Sequence, residues 1–215
     1  VLGEGSASFE MLRHLTERLP AMVGPRWLGN RIQPIALPDV VHYLVRAADL
    51  PPDVNRTIDL GMDEVLTYSE MMRRYARVAG LLPRFVATVP VLTPWLASHW
   101  VGLVTPVRAA IAKPLVGSLI HDAVRSEQDA ARILGDPPGG TVGFDDAVRA
   151  ALAGRDPHRW ARTVAGVGVA VAGCAVLGSL ATAPDTRWYR RLRKPVWQPP
   201  AAAFPLVWSA LYATV

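Results

Sequence analysis

Between Arg162 and Asp185 the chain carries 22 consecutive residues, Thr163 to Pro184, without a charged side chain. At about 1.5 Å of rise per residue, a helix of that length covers roughly 30 Å, the thickness of a bilayer's hydrocarbon core. Gly166, Ala170, Cys174, Gly178 and Thr182 recur at every fourth position, the kind of small-residue stripe through which membrane helices approach one another. A buried helix in a water-soluble core is the competing reading, but soluble helices this long usually carry a polar face. A second uncharged run, Ala201 to Val215, has 15 residues and reads as the start of another span. Between the two, Arg187 to Pro200 forms a basic, aromatic connector in which Pro195, Pro199 and Pro200 prevent a continuous helix.

Phe85 to Val107 is also uncharged for 23 residues. Pro90, Pro94 and Pro106 interrupt it, and Ser98 and His99 sit inside it, so a buried or pocket-lining segment is expected there rather than a span. Residues 1–160 hold 17 basic and 17 acidic side chains, so the net charge of +5 comes from Arg162, Arg187, Arg190, Arg191, Arg193 and Lys194 against Asp185. A basic cluster confined to the membrane-proximal quarter does not imply nucleic acid as a partner. The single Cys174 forms no bridge within the chain, and the five histidines show no zinc-site spacing, so no metal is expected. The sequence opens at Val1 without an initiator Met and closes at Val215 inside an apolar run, the pattern expected of a window on a longer chain.

The first 155 residues read as the α/β part. Phe9, Met11, Leu12, Leu15 and Leu19 make an apolar helix face. Arg31 to Leu37 is strand-like around Pro34, and Asp39 is placed to N-cap a helix from Val40 to about Ala48. Asn55 to Leu60 alternates as a strand and stops at Gly61. Thr67-Tyr68-Ser69-Glu70 is a capping box opening a helix that ends near Gly80. Gly135 to Gly140 marks a loop, and Ala153 to Pro157 a domain boundary. The strands are too few for a complete doubly wound sheet.

Gly3-Glu4-Gly5-Ser6-Ala7-Ser8 looks like the front of a phosphate-binding Gly-x-Gly-x-x-Gly turn. Ser8 stands where the third glycine belongs and no strand precedes it in the sequence, which favours an ordinary strand-to-helix turn. Proton transfer of the short-chain dehydrogenase type uses a Tyr with a Lys four residues on. Tyr43, Tyr68, Tyr75 and Tyr189 are followed at that spacing by Ala47, Met72, Ala79 and Arg193. The stretch from Trp188 to Pro200 has two readings. One is a juxtamembrane anchor, with rings at the headgroup level and cations on anionic lipid. The other is a rigid aromatic and cationic lid for a flat apolar ligand bearing carboxylates.

Trp188-Tyr189, Leu192, Lys194-Pro195, Trp197, Pro199-Pro200, Phe204, Val207-Trp208 and Leu211-Tyr212 resemble the first loop and second helix of the TspO/MBR family, the tryptophan-rich sensory or translocator proteins. The resemblance implies the start of a five-helix membrane bundle, commonly dimeric, that binds porphyrins and sterol-like ligands beneath this loop. It implies Trp188, Tyr189, Lys194, Pro195, Trp197, Pro199, Pro200, Phe204, Trp208 and Tyr212 as ligand-side positions, with a tetrapyrrole or other flat apolar molecule as ligand. Residues 1 to about 152 resemble the C-terminal half of an atypical, NmrA-like short-chain dehydrogenase/reductase. That similarity lies in Gly3 to Leu12, Arg31 to Ala36 with Asp39-Val40, Asn55 to Gly61, Leu66 to Met72, Val89 to Pro94 and His99 to Pro106.

The second resemblance implies NAD(P) as cofactor of the complete protein, with Gly3, Gly5 and Ser6 near its edge and the dinucleotide fingerprint upstream. The expected organisation is a partial Rossmann-like portion at 1–154, a linker at 155–162 and a transmembrane segment at 163–215. The expected function is porphyrin- or sterol-type ligand binding or transport in a bacterial cell membrane, coupled to a reductase-like domain. The alternative is a membrane-tethered NAD(P)H-dependent oxidoreductase. Four basic residues precede the span closely and five follow it, so the positive-inside tendency does not decide orientation. A cytoplasmic N-terminal domain is expected because cofactor-dependent domains are seldom exported without a signal.

Overall fold

The computed structural model describes residues 1–89, 104–181, 187 and 191–193. The chain divides into two compact units, Val1–Ala165 and Gly166–Val215.

The first unit begins with Leu2 in a parallel bridge to Ala36: the Leu2 N–H donates to the Ile35 carbonyl at 2.7 Å, and the Leu37 N–H to that of Leu2 at 2.8 Å. Helix α1, Ala7–Arg18, buries Phe9, Met11, Leu12 and Thr16. Thr16 extends the expected apolar face because its hydroxyl donates to the Leu12 carbonyl at 2.8 Å and leaves only its methyl group to be packed. Strand β1, Ala21–Pro25, follows, and a 3-10 turn over Arg26–Gly29 leads to β2, Arg31–Ile32.

The strand expected from Arg31 to Leu37 is therefore short. Pro34 has no N–H to donate to a ladder, and Leu37 already belongs to α2, Leu37–Ala48. Pro38 sits in the first turn, where its fixed φ suits a helix start. The helix thus begins before Asp39, which is not its cap. The Asp39 side chain is 1% exposed, and its carboxylate accepts the Val142 N–H at 2.9 Å. Asn55 to Leu60 forms no strand either. Side chains hold it in place of a ladder: the Asp59 carboxylate accepts the Ser126 N–H (2.9 Å) and hydroxyl (2.5 Å), and Arg56 pairs with Glu127 and Asp129. Its alternation correctly marks Ile58 and Leu60 as inward-facing, against the cluster of Ile35, Tyr43 and Leu134.

Strand β3, Leu66–Thr67, pairs antiparallel with β2 and runs into α3, Tyr68–Val78. The capping box is formed: the Glu70 N–H donates to the Thr67 hydroxyl at 3.2 Å, and the Thr67 N–H to the Glu70 carboxylate at 2.7 Å. Gly80, at φ +67°, ends the helix as the left-handed residue of a Schellman motif, in which the Leu81 N–H reaches the Ala76 carbonyl. Strand β4, Phe85–Val89, then lies parallel to β1 in the register Ala21↔Phe85 to Pro25↔Val89. The front of the uncharged segment is thus a strand; residues 90–103 lie outside the described residues.

Three further short helices are described in full: α4, Ala109–Ser118; α5, Ala130–Leu134; and α6, Phe144–Ala151. The main core joins α1, α3 and α6 through Phe9, Leu12, Met72, Tyr75, Phe144 and Val148. Helix α7, Arg159–Ala181, follows Gly154, whose φ is +75°. It starts before the expected Thr163, and Thr182 to Pro184 lie outside the described residues. Val164, Val167, Val169, Val171, Val176, Leu177 and Leu180 are all exposed on it, so beyond Arg162 it carries no charged face.

Candidate functional site

The Gly3 to Ser6 turn does connect a strand-like residue to a helix, and each of its residues has a local explanation. A Cβ on Gly3 would lie 2.7 Å from the Cβ of Leu37, so the start of α2 packs where a side chain would stand. Gly5 has φ +80°. The Ser6 hydroxyl donates to the Val1 carbonyl at 2.8 Å instead of facing an anion, and Glu4 pairs with Arg155 beside it. One glycine closed by packing, a hydroxyl already engaged and an adjacent carboxylate do not fit a pyrophosphate cradle.

A cavity of about 310 Å³ opens between α1, β2, α3 and α4. Phe9, Leu12, Met71 and Leu115 give it apolar walls. Several of its polar residues are committed to the wall itself. The Asn30 amide donates to the Leu119 (3.0 Å) and Ile120 (2.6 Å) carbonyls. Gln33 donates to the Met62 carbonyl at 3.1 Å and accepts the Arg125 N–H at 2.7 Å. Arg31 pairs with Asp122 at 3.1 Å. Tyr68 differs: burial pushes its phenol up to about 12, which keeps it protonated as a hydrogen-bond donor. Such a chamber suits a mainly apolar molecule. Sequence reasoning missed it, although the capping box that fixes the start of α3 is the signal that puts Tyr68 at its first position.

A second network lies on α1. Glu17 accepts the Tyr75 hydroxyl at 2.6 Å and pairs with Arg13 at 3.3 Å; Arg13 also holds Glu10 at 2.6 Å. Burial raises the Glu17 carboxyl against the pull of Tyr75 and Arg13. Burial, with Arg13 and Arg18 nearby, lowers His14 to about 4. Among the described residues no group of three His, Cys, Asp or Glu side chains is placed to hold a metal ion.

The ligand-side positions expected from the connector and second helix, Trp188, Tyr189, Lys194, Pro195, Trp197, Pro199, Pro200, Phe204, Trp208 and Tyr212, lie outside the described residues. Arg187, Arg191, Leu192 and Arg193 of the connector are exposed. The helix that leads to it is the one described helix long and apolar enough to cross a membrane, over Arg159–Gly178, with none of it buried in the protein.

Residues 166–215 match the TspO/MBR family. The TspO/MBR segment therefore contains most of α7, the whole connector and the second apolar run. No curated protein matches the chain. Among solved structures, the triphenylmethane reductase of a Citrobacter species, crystallised with NADP(H), aligns with a TM-score of 0.50 and 16% identity over 66% of this chain and 48% of the reductase. The chain spans about half the length of that reductase, and at this identity the likeness is one of fold. The protein thus combines a mixed α/β region with a parallel strand pair, similar in fold to part of that reductase, and one long apolar helix that opens the segment matching the TspO/MBR family.

Proposed function

We propose that the protein binds a flat, apolar, carboxylate-bearing ligand of the porphyrin or sterol type in its TspO/MBR membrane domain, to which the reductase-like unit is attached. The match over residues 166–215 carries this reading, because it covers the connector in which tryptophans and prolines alternate with Arg and Lys. Trp188, Tyr189, Trp197, Phe204, Trp208 and Tyr212 would supply rings for the ligand plane, Lys194 a partner for its acid, and Pro195, Pro199 and Pro200 the rigidity of the loop. In this reading residues 1–154 form the reductase-like portion, 155–162 the linker and 163–215 the membrane segment. The N-terminal unit faces the cytoplasm, and the small-residue stripe of α7 serves a homodimer in the bilayer.

The test is a protoporphyrin titration of the full-length protein in lipid nanodiscs, read by tryptophan fluorescence. Trp188→Ala and Trp197→Ala should each weaken binding by about tenfold, the value of one lost aromatic contact of roughly 1.4 kcal/mol. Unchanged titrations in both variants would remove the reading. A second reading, a membrane-tethered NAD(P)H-dependent oxidoreductase, is favoured by the fold likeness to a reductase crystallised with NADP(H). Because the Gly3 to Ser6 turn does not fit a pyrophosphate, the dinucleotide would be held by residues outside this chain. NADPH binding by the full-length protein that survives Gly5→Ala and Ser6→Ala agrees with that assignment; loss of binding in either variant returns the site to the turn.

A further inference from the structure

The end of the α/β unit from which α7 departs carries its own lipid-directed chemistry. Four pieces of chain converge there: the end of α1, the turn after α3, the first residues of β1 and β4, and the first turn of α7. The Phe85 N–H donates to the Pro20 carbonyl at 3.1 Å, and Arg84 donates to the Thr16 carbonyl at 2.7 Å and to that of Leu82 at 2.9 Å. The Arg18 guanidinium lies over the Trp160 ring, 4.8 Å from its centre. His158 approaches Gly80.

Three large apolar side chains at this end face solvent: Leu82 is 77% exposed, Phe85 68% and Trp160 42%. Phe85 and Ala21 are register partners, so Val23, two residues on and 58% exposed, shares their face of the sheet. Arg18 and Arg84 lie at this end, the first donating to the Val104 carbonyl and the second to those of Thr16 and Leu82, and Arg159 and Arg162 flank Trp160 in the sequence, with Asp156 paired to Arg162. Exposed apolar groups beside arginines, one of them stacked on a tryptophan, match the layer where acyl chains meet anionic headgroups. The position of the patch supports this choice over a protein partner. The apolar span begins at Arg159, so Trp160 sits in its first turn, at the depth where an interfacial tryptophan belongs. A residue packed on Trp160 is then at that depth too.

We propose that Arg18, Leu82, Arg84, Phe85 and Trp160 form a membrane-contact face that holds the α/β unit down on an anionic bilayer. The proposal rests on reading α7 as a span, and its test separates the two. In the full chain, Cys174→Ser removes the lone cysteine. Single cysteines are then introduced as Leu82→Cys, Phe85→Cys, Asp53→Cys in the exposed loop after α2, and Val171→Cys in α7. Each carries an environment-sensitive fluorophore in vesicles of phosphatidylglycerol and phosphatidylcholine, with lipids brominated at shallow or deep positions as quenchers. The expected result is shallow quenching at residues 82 and 85, deep quenching at 171 and none at 53. Aqueous behaviour at 82 and 85 with deep quenching at 171 overturns the contact face, leaves the span intact and hands the patch to a protein. Aqueous behaviour at 171 overturns both. Leu82 and Phe85 are surface side chains, so neither replacement removes a core contact.

Discussion

Helices α2 and α7 both present valine and leucine to solvent, but they differ in what lies behind those side chains. On α2, Leu37, Val41, Leu44 and Val45 face outward while the other side is fastened to the protein. Tyr43 donates to Asp136 at 3.3 Å, Arg46 donates to the Leu134 carbonyl at 3.0 Å, and the Asp39 carboxylate accepts the Val142 N–H. On α7, beyond the Trp160 ring that Arg18 covers, Gly166, Gly168 and Gly173 have no atom of the described residues within 4 Å of where a Cβ would be. A helix with one apolar stripe outward and a docked inner face is held by its own domain. A helix that is apolar all round needs a solvent other than water.

The contrast can be broken most sharply from the α2 side. Phe144, the first residue of α6 and fully buried in the cluster with Met72 and Tyr75 of α3, anchors the main core of the α/β unit. Phe144→Ala should cost about 3–5 kcal/mol of the unit's stability, measured by chemical denaturation, while membrane retention of α7 stays unchanged. The mirror experiment is Val171→Arg. A central arginine opposes insertion by about 2.5–3.5 kcal/mol, and carbonate extraction should move the protein towards the aqueous fraction with the α/β unit still folded.

Acid distinguishes the two regions next. The folded unit keeps His14 neutral down to about pH 4, whereas the unfolded chain takes up the proton near the ordinary 6.5. Acidification through that interval therefore favours unfolding, and the contribution is complete above 6.5. Glu17, raised by burial, works in the opposite direction, so His14→Gln is the control that should flatten the first component. Thr67→Ala removes the capping hydroxyl of α3 and should lower the denaturation midpoint by the equivalent of about 1 kcal/mol. Smallest of all, Leu44→Ser on the open face of α2 should change stability by no more than about 0.5 kcal/mol while reducing binding of a hydrophobic dye.

Features encoded over one or two helical turns are legible in the sequence. The Phe9 to Leu12 face, the Thr67–Glu70 box, the stop at Gly80 and the uncharged helix each depend on residues a few positions apart. The strands β1 and β4 were not, because Ala21–Pro25 contains a glycine and a proline in five residues, and its partner begins at Phe85. Asp39 misled for a related reason: its side chain has the chemistry of a cap, and only the fold reveals that it serves Val142. The cavity was equally hidden, since Asn30, Gln33, Tyr68 and Leu115 meet only once α1, α3 and α4 are packed. The connector from Trp188 onward was read by motif, and its family match stands independently of any geometry.

The short interval between α6 and α7 also bears on how the protein is made. Phe144, Ala147, Val148 and Ala151 are the last buried side chains of the main core to be synthesised, and α7 begins eight residues after Ala151. At roughly 5–20 residues per second, translation crosses that interval in about a second. The unit cannot close its core until α6 emerges, and by then the span is following it out of the ribosome. Closure of the core and the appearance of the long apolar helix are thereby separated by only about a second of synthesis.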